Sequence, residues 1–240
     1  MTTHTTAVSY VPMHVTLISH MGGDDSVVNA ARVSFNKQIT MPEDGVLSVA
    51  DKKLIRFLAK HGHWSPFAHC FLSFRVKAPI FVARQLAKHQ VGFSWNEVSR
   101  RYVDDAPEMF LPDMESGWRK RHVSAKQGSS SETVAVDEGA SAVVQACVDT
   151  YNDLLRRGVC PEQARMVLPQ CTMTEWIWSG SLYAFARMCS LRTETHAQAE
   201  CQVIAAEIAD LIQPLFPVAW ESLVAAGTTA TATATTTNSL

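Results

Sequence analysis

The chain has 240 residues, of which 47% are hydrophobic and 18% are charged, and its formal net charge is −2. This composition is typical of a globular protein with a substantial core, and it excludes polyanion binding driven by overall charge, so any anion site has to be local. No basic start followed by an apolar run opens the chain, and no apolar run reaches membrane-spanning length, so a soluble cytoplasmic protein is expected.

The six cysteines and the clustered histidines show no metal-site pattern. The cysteines are Cys70, Cys147, Cys160, Cys171, Cys189 and Cys201. Their scatter without CxxC spacing argues against a zinc site or a disulfide framework and fits a reducing compartment. His61, His63 and His69 straddle a predicted helix end, a loop and a strand start, without the spacing of a known metal site. No metal ligands are therefore predicted.

Hydrophobic periodicity predicts alternating strands and helices. The predicted elements are a strand over 14–18, helices over 27–33 and 48–60, a strand over 69–76, a helix from residue 80, a helix over 140–157, a short helix opened by Pro161, a strand over 171–178, a helix over 182–191 and a long helix from Arg192 to about Ile212. Gly180-Ser181 is a candidate cap for the helix over 182–191. The buried stripe of the long helix is predicted to be Val203, Ile204, Ile208, Leu211 and Ile212. The predicted fold class is α/β, with a central mixed sheet, flanking helices and a helical second half.

A single domain is predicted over residues 1–226, with a flexible excursion inside it and a tail after it. The excursion is expected over residues 118–139, of which residues 126–139 are polar and small. Residues 227–240 are Thr/Ala repeats of low complexity, and a disordered tail is expected there.

Charged and amide side chains concentrate after the strand over 69–76. Gln85, Lys88 and His89 fall on one helix face, and Asn96, Glu97, Ser99, Arg100 and Arg101 follow within six residues. Guanidinium groups and backbone amides suit phosphate, whereas Asn and Glu suit the edges of a ring. The alternative interpretation is a surface helix whose basic end complements its own dipole.

The order of these residues resembles the flavin-dependent thymidylate synthases. That family's signature is Arg-His-Arg, seven residues and Ser, within a longer Asn-Glu-x-Ser-x-Arg-Tyr pattern. Residues 96–102 match the second half, but the first half is Lys88-His89-Gln90, and eight residues separate Gln90 from Ser99. One arginine of the family pattern has therefore lost its charge, and residues 91–95 are interpreted as a loop.

Three further segments carry the same resemblance. Residues 65–67 are similar to the family's Ser/Thr-Pro-Phe turn, and residues 162–169 are similar to its Glu-x-Ala-Arg-x-x-Leu-Pro motif. Residues 191–200 are similar to Leu-Arg-x-x-x-His-Ala-Gln-x-Glu. The resemblance extends over residues 21–220 apart from the excursion.

The resemblance implies methylation of deoxyuridine monophosphate (dUMP) to thymidylate, with methylenetetrahydrofolate as carbon donor, FAD as electron carrier and NADPH as its reductant. It also implies a homotetramer whose sites are shared between subunits. The flavin-contacting positions are then Ser65, Lys88, His89, Gln90, Glu97, Ser181 and Arg187, the last in place of the usual Asn or His. The nucleotide-contacting positions are Gln85, Lys88, Ser99, Arg100, Arg101, Arg165 and Arg192. Arg192 stands at the catalytic position, where a guanidinium stays protonated and can stabilise negative charge developing on the uracil ring.

Two other functions are weighed against this one. A nucleotide-modifying enzyme with a nucleophilic cysteine lacks its key residue, because none of the six cysteines lies within the charged motifs. A non-enzymatic single-stranded nucleic-acid binder could stack and neutralise its ligand with Trp95, Arg100, Arg101, Tyr102 and Trp118. The net charge of −2 weakens that alternative.

Overall fold

The computed structural model describes residues 7–39, 45–103, 105–115, 117–124 and 128–237, with side chains as far as residue 227. The strands are β1 (His14–Met21), β2 (Phe71–Pro79), β3 (Phe93–Glu97), β4 (Arg119–Arg121), β5 (Ser129–Thr133) and β6 (Met173–Ser181). The helices are α1 (Asp24–Arg32), α2 (Val49–Lys60), α3 (Ser65–Ala68), α4 (Ile80–Leu86), α5 (Gly139–Arg156), α6 (Pro161–Ala164), α7 (Leu182–Arg192), α8 (Ala199–Ile212) and α9 (Pro217–Thr237). None of the helices formed by the described residues is long and apolar enough to cross a membrane.

The central sheet has the strand order β1-β2-β6-β3. The side chains that β2 turns toward the core are Leu72, Phe74, Val76 and Ala78, and this alternation confirms the strand predicted over 69–76. β2 pairs with β6 along its full length, from Phe71 opposite Ser181 to Pro79 opposite Met173. The two longest-paired strands therefore form the middle of the sheet, with one face turned to the helices.

The predicted α/β fold with a central sheet and flanking helices is confirmed, but the prediction of a mixed sheet is wrong. The three strand pairings of the central sheet are all antiparallel. β2, α4 and β3 form a crossover unit whose two strands run in the same direction. β6 lies between those two strands and runs against both, so they do not pair with each other in this sheet.

An aromatic cluster holds β3 in the sheet, although residues 91–95 are interpreted as a loop from sequence. Trp95 stacks on Trp176 with ring centroids 4.3 Å apart, and Phe93 lies 4.9 Å from the Trp178 ring. Gly180 permits this approach, since a Cβ there would lie 2.4 Å from the Phe93 ring. Burial of large rings therefore makes this short segment a strand.

The long helix predicted from Arg192 is shorter than expected. α8 begins at Ala199, and residues 193–198 form a separate connection after the end of α7. Ile204, Ile208 and Ile212 are buried as predicted, whereas Val203 is 45% exposed and does not belong to the buried stripe. The buried apolar residues of α8 are Cys201, Ile204, Ala205, Ile208 and Ile212.

The excursion contains two strands. Within residues 118–139, β4 and β5 pair as an antiparallel ribbon, and Arg119 forms an ion pair of 2.6 Å with Glu200 at the start of α8. The last helix, α9, runs to Thr237, and residues 238–240 lie outside the description.

Asp24 ties the two ends of the domain together. Its carboxylate accepts hydrogen bonds from the backbone N–H groups of Val218 at 2.8 Å and Ala219 at 2.9 Å, in the first turn of α9. Asp24 is buried, and burial is the main cause that raises the pKa of its carboxyl, although these two hydrogen bonds oppose the rise. The N-terminal helices α1 and α2 therefore pack with the C-terminal helix α9 in one layer.

Candidate active site

The sheet register brings the C-terminal ends of α4 and α7 together. α4 follows β2 directly and α7 follows β6 directly, so the two helices start at opposite ends of an antiparallel pair. A nine-residue strand spans about 30 Å, and helices of seven and eleven residues span about 27 Å end to end. α4 and α7 run toward each other across this distance, so they meet at their C-terminal ends. Several of the predicted site residues lie there.

Arg192, the last residue of α7, contacts the end of α4. Its Nε donates to His89 Nε2 at 2.9 Å, and its Nη2 donates to the carbonyl oxygen of Gln85 at 3.3 Å. The Gln85 amide in turn donates to the side-chain oxygen of Gln198, in the connection before α8. The predicted residues Gln85, His89 and Arg192 therefore form one cluster. Arg192 and His89 each have a further nitrogen atom, Nη1 and Nδ1, that can bind a ligand.

His89 is a neutral hydrogen-bond acceptor in this cluster. Burial, together with the positive charges of Arg192 and Arg187, lowers the pKa of His89 to about 4. At neutral pH its Nε2 therefore accepts from Arg192, and its proton resides on Nδ1. That N–H group can donate to a bound ligand.

Two adjoining hollows lie on the other side of His89. A hollow of about 150 Å³ is lined by Lys88, His89, Gln90 and Arg187. It shares Arg187 with a larger hollow of about 600 Å³, to which Ser181 and several aromatic side chains contribute. The aromatic wall consists of Trp64, Phe71, Phe93 and Tyr183. Five of the predicted flavin positions therefore lie along one continuous depression.

A third hollow, of about 460 Å³, lies elsewhere on the chain and shares no lining residue with the other two. Glu97, Arg100 and Arg165 line it. Glu97 accepts hydrogen bonds from Thr174 Oγ1 at 2.7 Å and from Trp95 Nε1 at 3.1 Å. Within one chain, Glu97 therefore lies in a different hollow from the five predicted flavin positions described above.

The remaining predicted residues lie at the surface or in structural roles. Arg101 is exposed, its Nε donates to Ser99 Oγ at 3.2 Å, and its guanidinium lies 5.1 Å above the Tyr102 ring. Ser65 is exposed at the start of α3, next to Trp64. Ser181 caps α7, since its Oγ accepts from the Ala184 N–H at 3.2 Å, and the cap predicted at this position is confirmed.

The chain matches a family of known proteins over most of its length. The family described as thymidylate synthase complementing protein matches residues 16–218. A flavin-dependent thymidylate synthase from Thermosipho africanus is 37% identical over 213 residues, covering 87% of this chain and 89% of that protein. One from Thermotoga neapolitana is 38% identical over 210 residues, covering 88% and 90%. The chain belongs to the flavin-dependent thymidylate synthase family.

Solved structures support the same family. The UMP/dUMP methylase PolB from Streptomyces cacaoi, bound with 5-Br dUMP, matches with a TM-score of 0.77 and 29% sequence identity, over 91% of this chain and 97% of that one. Its structure bound with 5-Br UMP matches with a TM-score of 0.78 and 27% identity. Because the chain belongs to a flavin-dependent family, its own residues are expected to suit a flavin.

The donor set of the two adjoining hollows fits a flavin nucleotide. The aromatic wall suits a planar ring, and the volume of about 600 Å³ falls within the range of cofactor pockets. The charged side chains that line the hollows, Lys88 and Arg187, are both cations, and no carboxylate lines either hollow. This environment suits an anionic ligand. The third hollow is mixed in charge, with four acidic and three basic side chains in its lining.

Sequence reasoning missed three residues of the Arg192 cluster. Gln198 and Glu200 stand in the quoted His-Ala-Gln-x-Glu motif, which is the signal that could have found them. Cys201 Sγ lies 3.4 Å from Gln85 Oε1, so one cysteine does reach the cluster although none lies within the charged motifs. Burial raises the pKa of the Cys201 thiol to about 11, so at neutral pH the thiol stays protonated and is a poor nucleophile.

Proposed function

We propose that this chain catalyses the reductive methylation of dUMP to thymidylate, with methylenetetrahydrofolate as the carbon donor and NADPH as the reductant of a bound FAD. The observation that carries the proposal is the hydrogen bond between Arg192 and His89, 2.9 Å long. It joins the hollow that suits a flavin to the cluster that contains the nucleotide-contacting position Gln85. A flavin and a nucleotide bound on either side of this contact would lie next to each other.

Arg192 is proposed to activate the uracil ring. The ring has to gain electron density at C5 before it attacks an electrophilic carbon, and a fixed guanidinium stabilises negative charge that develops on its polar edge. The contacts to His89 and Gln85 hold the guanidinium in one orientation before substrate binds. Arginine cannot act as the base here, since it stays protonated.

Lys88, His89 and Arg187 are proposed to hold the flavin. When bound, the flavin supplies the electrons that the methyl transfer requires. His89 offers its Nδ1–H group as a donor, because its Nε2 is already used as the acceptor for Arg192. Ser65, Gln90, Glu97 and Ser181 complete the proposed set of flavin contacts.

Arg100, Arg101 and Arg165, with Ser99, are proposed to bind the phosphate of dUMP, and subunits are proposed to share each site. Guanidinium groups bind phosphate through paired, charge-assisted hydrogen bonds. Arg100 and Arg165 line a hollow separate from the one near Arg192. A homotetramer in which one subunit's phosphate residues face another subunit's Arg192 would complete the site. A reducing cytoplasm is the proposed compartment, and it agrees with six free cysteines.

The nucleic-acid alternative is not favoured by the positions of its residues. Trp95 is stacked on Trp176 in the aromatic cluster, so one face of its ring is already covered. Trp118 Nε1 is buried, and Arg100 donates to the Asp105 carbonyl at 2.8 Å. Only Arg101 and Tyr102, of the five residues, present an exposed cation beside an exposed ring.

The proposal is tested by purifying the protein, recording its absorbance spectrum and assaying tritium release from dUMP labelled at C5. We expect a flavin spectrum, and tritium release that requires NADPH and methylenetetrahydrofolate. A protein that carries FAD but releases no tritium with all substrates present would contradict the proposed reaction. A colourless protein that cannot be reconstituted with FAD would refute the flavin chemistry.

Site sharing is tested by mixing two inactive variants. Arg165→Ala and Arg192→Ala would each inactivate the site by losing a different residue. If one site takes these residues from two subunits, mixed oligomers contain some sites with both residues intact, and activity returns in part. No activity at any mixing ratio, with mixed oligomers confirmed by native mass spectrometry, would indicate sites formed within one chain.

A further inference from the structure

The flavin hollow of this chain has one cation fewer than the family's signature provides. In Arg-His-Arg, two arginines flank the histidine, whereas this chain has Lys88-His89-Gln90. Gln90 lines the hollow of about 150 Å³ but offers only an amide. Without a compensating charge, an anionic cofactor would bind more weakly here.

Arg187 lies where it can restore that charge. It lines the same hollow as Lys88, His89 and Gln90, which follow the end of α4, although it lies on α7, about 100 residues later in the chain. It also lines the larger, aromatic-walled hollow. The charge of Arg187 acts on His89, where it contributes to lowering the histidine pKa, so its positive field reaches the signature motif.

The guanidinium of Arg187 is held at the surface of the hollow. Its Cζ lies 5.9 Å from the centroid of the Tyr183 ring, one helical turn earlier in α7, and Tyr183 lines the larger hollow as well. Across the described part of the chain, no carboxylate lies within 4.0 Å of its nitrogen atoms. Arg192 differs, because two of its nitrogen atoms already donate within the protein.

We propose that Arg187 supplies the second positive charge to the bound flavin nucleotide, in place of the arginine that Gln90 has replaced, and so sets the affinity for FAD. The inference rests on the proposed function, since it assumes that the hollow binds a flavin. The anionic group is the diphosphate of FAD, which a guanidinium recognises through charge-assisted hydrogen bonds.

The test compares single and double variants in FAD titrations of the apo-protein, followed by quenching of flavin fluorescence. Arg187→Asn, which installs a residue usual in the family, should weaken FAD binding about tenfold to a hundredfold, the loss expected for one charge-assisted contact. Arg187→Lys should retain most of the affinity. Gln90→Arg in the Arg187→Asn background should bring the affinity back to within a few-fold of the wild type.

The control variant is Arg157→Asn, an exposed arginine just past the end of α5 that lines none of the three hollows. It should bind FAD like the wild type. Melting temperatures within a few degrees of the wild type show that each variant is folded, which is expected because Arg187 is exposed. Riboflavin, which lacks the diphosphate, is the comparison ligand: Arg187→Asn should bind riboflavin within a few-fold of the wild type, and an equal loss for riboflavin and FAD would overturn the assignment to the diphosphate.

Two outcomes would overturn the inference. One is an FAD affinity of Arg187→Asn within twofold of the wild type. The other is a double variant that binds FAD no better than Arg187→Asn alone, since the two positions would then not exchange their charge. A wild-type protein that binds no FAD is a separate result, because it refutes the proposed function and the inference with it.

Discussion

Replacing Arg192 by alanine removes a half-buried guanidinium that donates to His89 Nε2 at 2.9 Å and to the Gln85 carbonyl at 3.3 Å. Two lost hydrogen bonds of this kind lower the free energy of unfolding by about 1–3 kcal/mol. For a domain of this size, that corresponds to a drop of several degrees in melting temperature. The variant is therefore expected to fold at the temperature of the assay.

The expected effect on the reaction is larger than the effect on stability. Losing one preorganised donor to a developing negative charge costs about 2.7–4 kcal/mol of transition-state stabilisation, or a hundredfold to a thousandfold in rate. Arg192→Lys keeps the charge but loses the planar guanidinium and its contact geometry. Its rate should therefore lie between the rates of the wild type and of Arg192→Ala. The flavin spectrum of both variants should stay close to that of the wild type, because Arg192 reaches the proposed flavin contacts only through His89 and the other contacts remain.

The assay is tritium release from C5-labelled dUMP under saturating NADPH and methylenetetrahydrofolate, with flavin content measured by absorbance. Its control is Arg157→Ala, which lies outside the cluster and should keep the wild-type rate. A folded, flavin-loaded Arg192→Ala variant whose rate stays within fivefold of the wild type would refute the assigned role of this guanidinium.

Three other substitutions test separate parts of the structure. Cys201→Ala should keep turnover within a few-fold, since the thiol pKa is raised to about 11; abolished turnover in a folded, flavin-loaded variant would identify a nucleophile. Asp24→Ala should lower the free energy of unfolding by about 2 kcal/mol through loss of the α9 cap, whereas Asp25→Ala should change it far less; equal effects in chemical denaturation would argue against the cap. His89 lowers stability as the pH falls from about 6.5 to about 4, because the unfolded chain binds a proton that the folded chain excludes. His89→Gln should therefore flatten the decline in unfolding free energy between pH 7 and pH 5, and an unchanged slope would contradict this.

Several elements could be predicted from the sequence because their signals are local. The period of two over 69–76 shows which side chains of β2 face the core, and the Ser181 cap marks the start of α7. The family could be predicted for a related reason. Nucleotide and flavin chemistry requires particular side chains in a particular order, and several ordered motifs in one chain rarely coincide by chance.

Other features depend on packing that no local pattern reports. Trp95 and Phe93 form a strand because their rings pack against Trp176 and Trp178, about 80 residues later in the chain. Arg119 meets Glu200 although nothing in the polar excursion indicates a partner. Cys201 reaches the nucleotide cluster only because α8 starts at Ala199 and packs against α4.

The sequence by itself determined which residues carry the chemistry, and the tertiary structure decided which of them meet. Arg192 contacts His89 because β2 and β6 pair in a register that starts α4 and α7 at opposite ends of the sheet, with lengths that let their ends converge. The same register leaves Glu97, Arg100 and Arg165 in a hollow apart from Arg187. Side-chain identity is encoded residue by residue, whereas the distance between two motifs depends on strand pairing across about 100 residues of chain.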